Sequence, residues 1–237
     1  MDIRYADLTT CSEARGTVVV IDVLRAFTTA AHAFANGASE ILLVETVEQA
    51  LDLRQRFPGS LTMGEVDGLP IPGFDFGNSP TLLAAQELQG RRLIQRTSAG
   101  TQGIVRSQNA EHLLSASFVC AAATARRIRQ LASPQVTFVI TGRDPIGRFG
   151  PPPPGLGDED AACADYLAAL LRDENPDPRP YLERVRSSPS GRKFAASLRA
   201  DIPASDLEYA SALDRFDFAM QVQRRDDLWL MQRVDFD

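Results

Sequence analysis

The 237-residue chain is 44% hydrophobic and 24% charged, long enough for one large domain or two small ones and without a bias toward disorder. Its 31 acidic against 25 basic residues give a net charge of -6, which argues against nucleic acid as a partner, because binding a phosphate backbone needs a basic face. No apolar run reaches the roughly 20 residues of a membrane span, and the N-terminal MDIRYADLTT lacks the basic-then-apolar pattern of a signal peptide.

Three cysteines (Cys11, Cys120, Cys163) are an odd number at wide spacings. Neither a disulfide framework nor a zinc knuckle is expected, and a reducing cytoplasm is the expected compartment. Lys193 is the one lysine, so an anion clamp elsewhere must use Arg.

In chain order, Thr17-Val18-Val19-Val20-Ile21 reads as a buried strand ending at Asp22. Ala26 to Ala35 reads as a helix closed by Asn36-Gly37. Ile41 to Val44 is a second strand, and Thr46 with Gln49 offers a capping box for a helix running to about Phe57. Gly64 to Pro80, rich in Gly and Pro, reads as a long ordered loop. Leu93-Ile94-Gln95 is a third strand, Ser117 to Cys120 a fourth leading into an Ala/Arg helix, and Val136 to Thr141 a fifth. Pro151 to Pro154 make residues 142–157 a stiff excursion. Phe218 to Val222 and Trp229 to Val234 flank Arg224-Arg225-Asp226-Asp227 as a β-hairpin, which reads equally as core or as a homodimer contact. Strands separated by helices imply crossovers and a mixed or largely parallel sheet with helices on both faces.

Ligands in open α/β sheets bind beyond the carboxyl ends of the strands. Asp22 ends the first strand and Arg25 opens the next helix; this pair reads as a cation ligand beside an anion contact, or Asp22 as a simple cap. Thr97-Ser98-Ala99-Gly100-Thr101-Gln102-Gly103 has the small residues of a phosphate-cradling nest, or of a plain turn. No Gly-Lys-Ser/Thr follows, which excludes a Walker A loop. Glu65, Asp75, Asn78 and Ser79 gather carboxylates, an amide and a hydroxyl among glycines, a set suited to Mg2+. Asp158-Glu159-Asp160 precedes an Ala-rich helix and serves either its dipole or the site. His32 and His112 are isolated and read as helical residues without a metal role, and the Cys120-x5-Arg126 spacing lacks glycine and reads as chance.

Taken in order, Asp22-Val23-Leu24-Arg25-Ala26, Asn36-Gly37-Ala38, Gly64-Glu65, Gly73-Phe74-Asp75, Gly77-Asn78-Ser79-Pro80, Thr97 with Gly100-Thr101, and Glu159-Asp160 resemble the 2-phosphosulfolactate phosphatase family over roughly residues 15 to 170. That resemblance implies a three-layer α/β/α fold with a mixed, largely parallel sheet. It also implies Mg2+-dependent hydrolysis of 2-phospho-3-sulfolactate to 3-sulfolactate and phosphate, a step toward coenzyme M. Asp22, Glu65, Asp75 and Glu159 become the expected metal ligands, and Asp22, Arg25, Glu65 and Glu159 the expected catalytic groups. Arg25, Asn78, Ser79, Thr97, Gly100 and Thr101 become the expected substrate contacts. Three departures from the family pattern loosen the sulfonate specificity while leaving the phosphatase class: Val66 replaces the common Arg after Gly-Glu, Ala99 replaces the Asn before Gly-Thr, and the excursion after Gly142 is longer, adding Arg143 and Arg148 as lid cations. A non-catalytic small-anion-binding or regulatory protein on the same fold is the rival reading.

Overall fold

The structure, a computed structural model, describes residues 1–142 and 154–236. Residues 143–153 of the proline-rich excursion, with both of its arginines, Arg143 and Arg148, therefore lie outside the described residues. Among those described, the chain runs β1 (Asp2–Asp7), β2 (Thr17–Ile21), α1 (Ala26–Ala35), β3 (Glu40–Val44), α2 (Val47–Arg56), β4 (Leu61–Val66), β5 (Leu69–Pro70) and α3 (Pro80–Leu83). It continues through β6 (Arg92–Arg96), α4 (Gly100–Arg106), β7 (His112–Ala116), α5 (Ala121–Leu131), β8 (Gln135–Ile140), α6 (Asp158–Leu171), α7 (Arg179–Ser187), α8 (Pro189–Ala195), α9 (Ser205–Ala210), β9 (Phe218–Arg225) and β10 (Leu228–Asp235).

These strands form one mixed, largely parallel sheet in the order β1-β8-β2-β7-β9-β10-β3-β6-β4-β5. Period-two alternation divides its side chains between two helical layers. On β2, Val18 and Val20 join the core around α1, whereas Val19 and Ile21 face α5 and α6. On β3, Ile41 and Leu43 face α1 while Leu42 and Val44 face α2. The result is a three-layer α/β arrangement. Helix α1 is buried from Ala26 to Phe34, which explains a sequence with hardly a polar stripe.

The C-terminal hairpin is core. β9 pairs with β7 and β10 with β3, so it splices two parallel half-sheets together, with Phe218, Met220, Val222 and Met231 buried. Those halves run in opposite directions across the hairpin. A twist of about 20–25° per strand step, taken over the six steps from β2 to β4, turns the second half by about 120–150° and offsets most of that reversal. The carboxyl ends of β2, β4 and β6 consequently meet beside the start of α1.

Three expectations need correction. The strand placed at Ser117–Cys120 is a 3-10 turn over Phe118–Cys120, and the strand is β7, one step earlier. Its apolar run is interrupted by Ser115, whose hydroxyl meets the sulfur of Met231 at 2.9 Å, while Phe118-Val119-Cys120 is apolar because the turn itself is buried. His112 therefore opens a strand and is not helical. The loop expected from Gly64 begins inside β4, so Gly64 and Glu65 belong to a strand end.

Candidate active site

Asp22 leaves β2 and turns its carboxylate back onto α1, where Oδ1 accepts the Ala26 N–H at 2.9 Å. The capping reading is thus part of its role. Gly100 sits against it so closely that a Cβ there would lie 2.9 Å from Asp22 Oδ2 and 2.7 Å from the Ala26 Cβ; only a glycine lets the α4 backbone approach.

Glu65, at the end of β4, accepts the Ser98 N–H on Oε1 and the Gly68 N–H on Oε2, both at 2.6 Å. The Ser98 hydroxyl also reaches Oε2 at 3.2 Å. Glu159, in the first turn of α6, is 4% exposed and its Oε2 has no hydrogen-bond partner among the described residues. Next to it, Asp160 accepts Val23 N–H and Gly142 N–H at 2.8 Å each, tying α6 to the ends of β2 and β8. Asp158 points away, paired with Arg184 at 2.6 Å. The acidic triplet is therefore divided among three tasks, and favouring the helix dipole is not the only one.

Electrostatics tie these groups together. Burial pushes Asp22 up to about 7, and the charges of Glu65 and Glu159 add to this while the N–H groups of Ala26 and Gly100 pull the other way. Asp160 is held well above the usual carboxylate range, by burial first and then by Glu159 and Asp22. Among the described residues the main charges acting on Asp22 and Asp160 are all negative, and carboxylates buried together in this way are costly. Among the described residues, no three His, Cys, Asp or Glu side chains stand close enough to cage a metal ion by themselves.

Arg25 begins α1 with a different partner. Its Nη1 donates to Asp206 Oδ2 at 2.6 Å, with both side chains almost fully buried, and its guanidinium lies 4.8 Å from the ring centre of Phe194. The other Asp206 oxygen accepts the Ser79 hydroxyl at 2.6 Å and the Thr81 N–H at 3.1 Å. Sequence reasoning missed Asp206. Asp206 stands two residues from Glu208 and distant in sequence from every motif, so nothing local singles it out.

Other expected contacts are placed as follows. Thr97 and Thr101 satisfy each other, each hydroxyl accepting the other's N–H at 2.9–3.0 Å. The N–H groups of Ser98 and Gly100 go to Glu65 and Asp22. The 97–101 loop thus cradles the protein's own carboxylates, leaving only Ala99 N–H without a described acceptor in that run. Ser79 also caps α3 through Leu82 N–H. Asn78 is buried with an unpartnered Oδ1. Asp75 is not brought to the cluster: its oxygens take Arg54 at 3.2 Å and the Thr62 N–H and hydroxyl at 2.8 and 2.9 Å. Thr62 lies at the opposite end of β4 from Glu65, so Asp75 pins the 73–76 loop.

His32 packs 4.9 Å from both Tyr209 and Phe216, and burial, aided by Arg215, lowers it to about 4. It is a neutral core residue. Cys120 is fully buried and its thiol is pushed up to about 11 by that burial, while Arg126 turns outward to Asp217. A thiolate nucleophile is excluded by that environment. Cys120→Ala is expected to keep kcat/KM within about twofold and to lose about 1 kcal/mol of stability through the small cavity; activity assays and thermal melts on the same sample check both.

A sheet whose strand ends gather buried carboxylates beside an anchored arginine is the architecture of an α/β enzyme acting on a small polar ligand. A family model described as 2-phosphosulpholactate phosphatase matches residues 3–225. The chain therefore belongs to the 2-phosphosulpholactate phosphatase family, a family of phosphoric monoester hydrolases. It is 33% identical over 217 residues to a "Probable 2-phosphosulfolactate phosphatase" of Bacillus subtilis (strain 168), covering 91% of each chain. A protein with the same name from Deinococcus radiodurans is 38% identical over 224 residues, covering 87% of this chain and 88% of its own. No described helix is long and apolar enough to cross a membrane.

Proposed function

We propose that this protein hydrolyses a small phosphorylated acid, 2-phospho-3-sulfolactate in the first instance, to the free hydroxy acid and phosphate, with Mg2+ as cofactor. The observation that carries this reading is the convergence of buried Asp22 and Glu65, at the ends of β2 and β4, with buried Glu159 in the first turn of α6, in a chain of this family.

The donor set fits Mg2+. It consists of oxygen only, Glu159 Oε2 lacks a partner among the described residues, and burial, with repulsion from Glu65 and Glu159 added, raises Asp22, a penalty that a divalent cation relieves. Mg2+ takes one or two carboxylates and fills its remaining positions with water and substrate oxygens, so a preformed cage is not required. Asp22 and Glu65 hold it in this reading, and the ion supplies Lewis-acid stabilisation of charge on the phosphoryl oxygens.

Each residue then has a task of its own. The N–H groups of Ala26, Gly100, Ser98 and Gly68 keep the Asp22 and Glu65 oxygens in place before substrate arrives, which is preorganisation. Glu159, with an unpartnered oxygen, accepts the proton of the attacking water. Arg25, braced by Asp206 and Phe194, keeps its other N–H donors for a phosphoryl oxygen. In a cytoplasmic setting the released phosphate and hydroxy acid simply diffuse away.

Release of inorganic phosphate from 2-phosphosulfolactate and a panel of monoesters tests the reading. Turnover with Mg2+ that falls at least about 100-fold under chelation is expected. A folded sample that releases no phosphate from any member of the panel would sink the enzyme reading and leave a small-anion binder.

A further inference from the structure

The one lysine of the chain stands at this site. Lys193 is an exposed residue of α8, and its Nζ lies 4.0 Å from where a side chain on Gly68 would begin. Gly68 is the residue whose N–H binds Glu65 Oε2 at 2.6 Å. The next residue, Phe194, is buried and carries the Arg25 guanidinium on its ring. Two neighbouring side chains of one short helix therefore reach the two charged edges of the site.

That helix is rigidly placed. The Ser188 hydroxyl accepts the Gly191 N–H at 2.9 Å. At Gly191 a Cβ would fall 2.0 Å from the Val185 carbonyl, so α8 is pressed onto the end of α7. Pro189 lies close to Gly155, just before α6, the helix that carries Glu159: a Cβ on that glycine would be 3.7 Å from Pro189 Cδ. Yet among the described residues the Lys193 ammonium has neither a hydrogen bond nor an ion pair. The β4–β5 turn beneath it, Val66 to Pro70, carries one acid, Asp67, and no basic residue. An ammonium held without a partner beside a carboxylate cluster is poised for an anion arriving with the ligand.

We propose that Lys193 forms a second anion subsite, taking the acidic group that a phosphorylated acid carries beside its phosphate. This rests on the phosphatase reading of the site for its substrate class, and its test is chosen to separate the two.

Lys193→Gln is expected to raise KM for 2-phosphosulfolactate about 5- to 10-fold, with kcat within twofold and phenyl phosphate kinetics unchanged. Lys193→Arg should recover most of the loss, and 0.5 M salt should shrink the difference between wild type and Lys193→Gln. 2-Phosphoglycerate, which keeps the carboxylate and replaces the sulfonate by a hydroxyl, identifies the group: a raised KM assigns the carboxylate, an unchanged one the sulfonate. Unchanged KM values for both phosphorylated acids, or an equal rise for phenyl phosphate, would overturn the subsite. Calorimetry with 3-sulfolactate and with inorganic phosphate reads the same subsite without turnover. A wild type that hydrolyses nothing loses the phosphatase reading. Weaker sulfolactate binding in Lys193→Gln, with phosphate binding unchanged, would still support the subsite, and equal sulfolactate affinities would overturn it.

Discussion

Asp22→Asn is expected to release phosphate on the order of 10^3-fold more slowly than wild type and, in the absence of metal at pH 8, to melt at a higher temperature. The activity loss follows from removing a charge that holds the cation, worth several kcal/mol, at about 1.4 kcal/mol per tenfold in rate. The stability gain follows from the raised carboxyl. Asp22 lies at about 7 in the fold against an ordinary value of 3.8, so between those values the native state binds more protons than the unfolded chain. Its contribution to stability is present below pH 3.8 and is lost as pH rises through 7. At pH 8 the wild type buries an uncompensated charge. The asparagine removes it while its amide oxygen still accepts the Ala26 N–H that Oδ1 now takes at 2.9 Å. A gain of about 2 kcal/mol corresponds to about 4–8 °C in a chain of this size. Saturating Mg2+ should raise the wild-type midpoint by mass action and leave the variant nearly unmoved. Melting curves at pH 4 and pH 8, with chelator and with Mg2+, check all four corners. A lower midpoint for Asp22→Asn at pH 8 in chelator contradicts the burial argument, and retained phosphate release contradicts the role.

Local signals carried much of this fold, and non-local pairing hid the rest. β2 and α1 were readable to the residue because an unbroken Val run and a Gly C-cap are short-range features, and the Thr46–Gln49 capping box was readable for the same reason. β1 is half exposed and charged, and it becomes a strand only by pairing with β8. The hairpin was visible, but not that it fills the centre of the sheet, since register across 100 residues leaves no local mark. In the site, sequence could name the donors of the 97–101 loop without saying who accepts from them. The structure gives those N–H groups to Asp22 and Glu65. Asp75 and Glu65 looked alike, as acids among glycines. Arg54 and Thr62 claim the first, and only the meeting of three strand ends brings the second to Asp22. Asp206 and Lys193 come from a segment whose motifs are weak and whose place is set by tertiary packing.

Gly64→Ala is expected to be the most damaging single methyl group that this site can receive. Gly64 is the residue before Glu65 on β4, with φ of +143° and register opposite Arg96 on β6. A Cβ there would fall 1.8 Å from the Arg96 carbonyl oxygen and 2.8 Å from its carbon. Those are backbone atoms that no rotamer change can move, so the strand pair must separate at the point where the Ser98 N–H donates to Glu65. A loss of at least about 4 kcal/mol follows, which is a fall of roughly 10 °C or more in the thermal midpoint. The fraction that stays folded should bind Mg2+ poorly, because Glu65 is displaced. Gly73→Ala provides the control. Gly73 also has positive φ, +84°, but nothing within 4 Å of its Cβ position, so conformational strain alone should cost about 1 kcal/mol. Melts of the two alanine variants, with and without Mg2+, therefore separate strain from collision. A midpoint for Gly64→Ala within a few degrees of that for Gly73→Ala would mean that the close approach of β4 to β6 is not what seats Glu65.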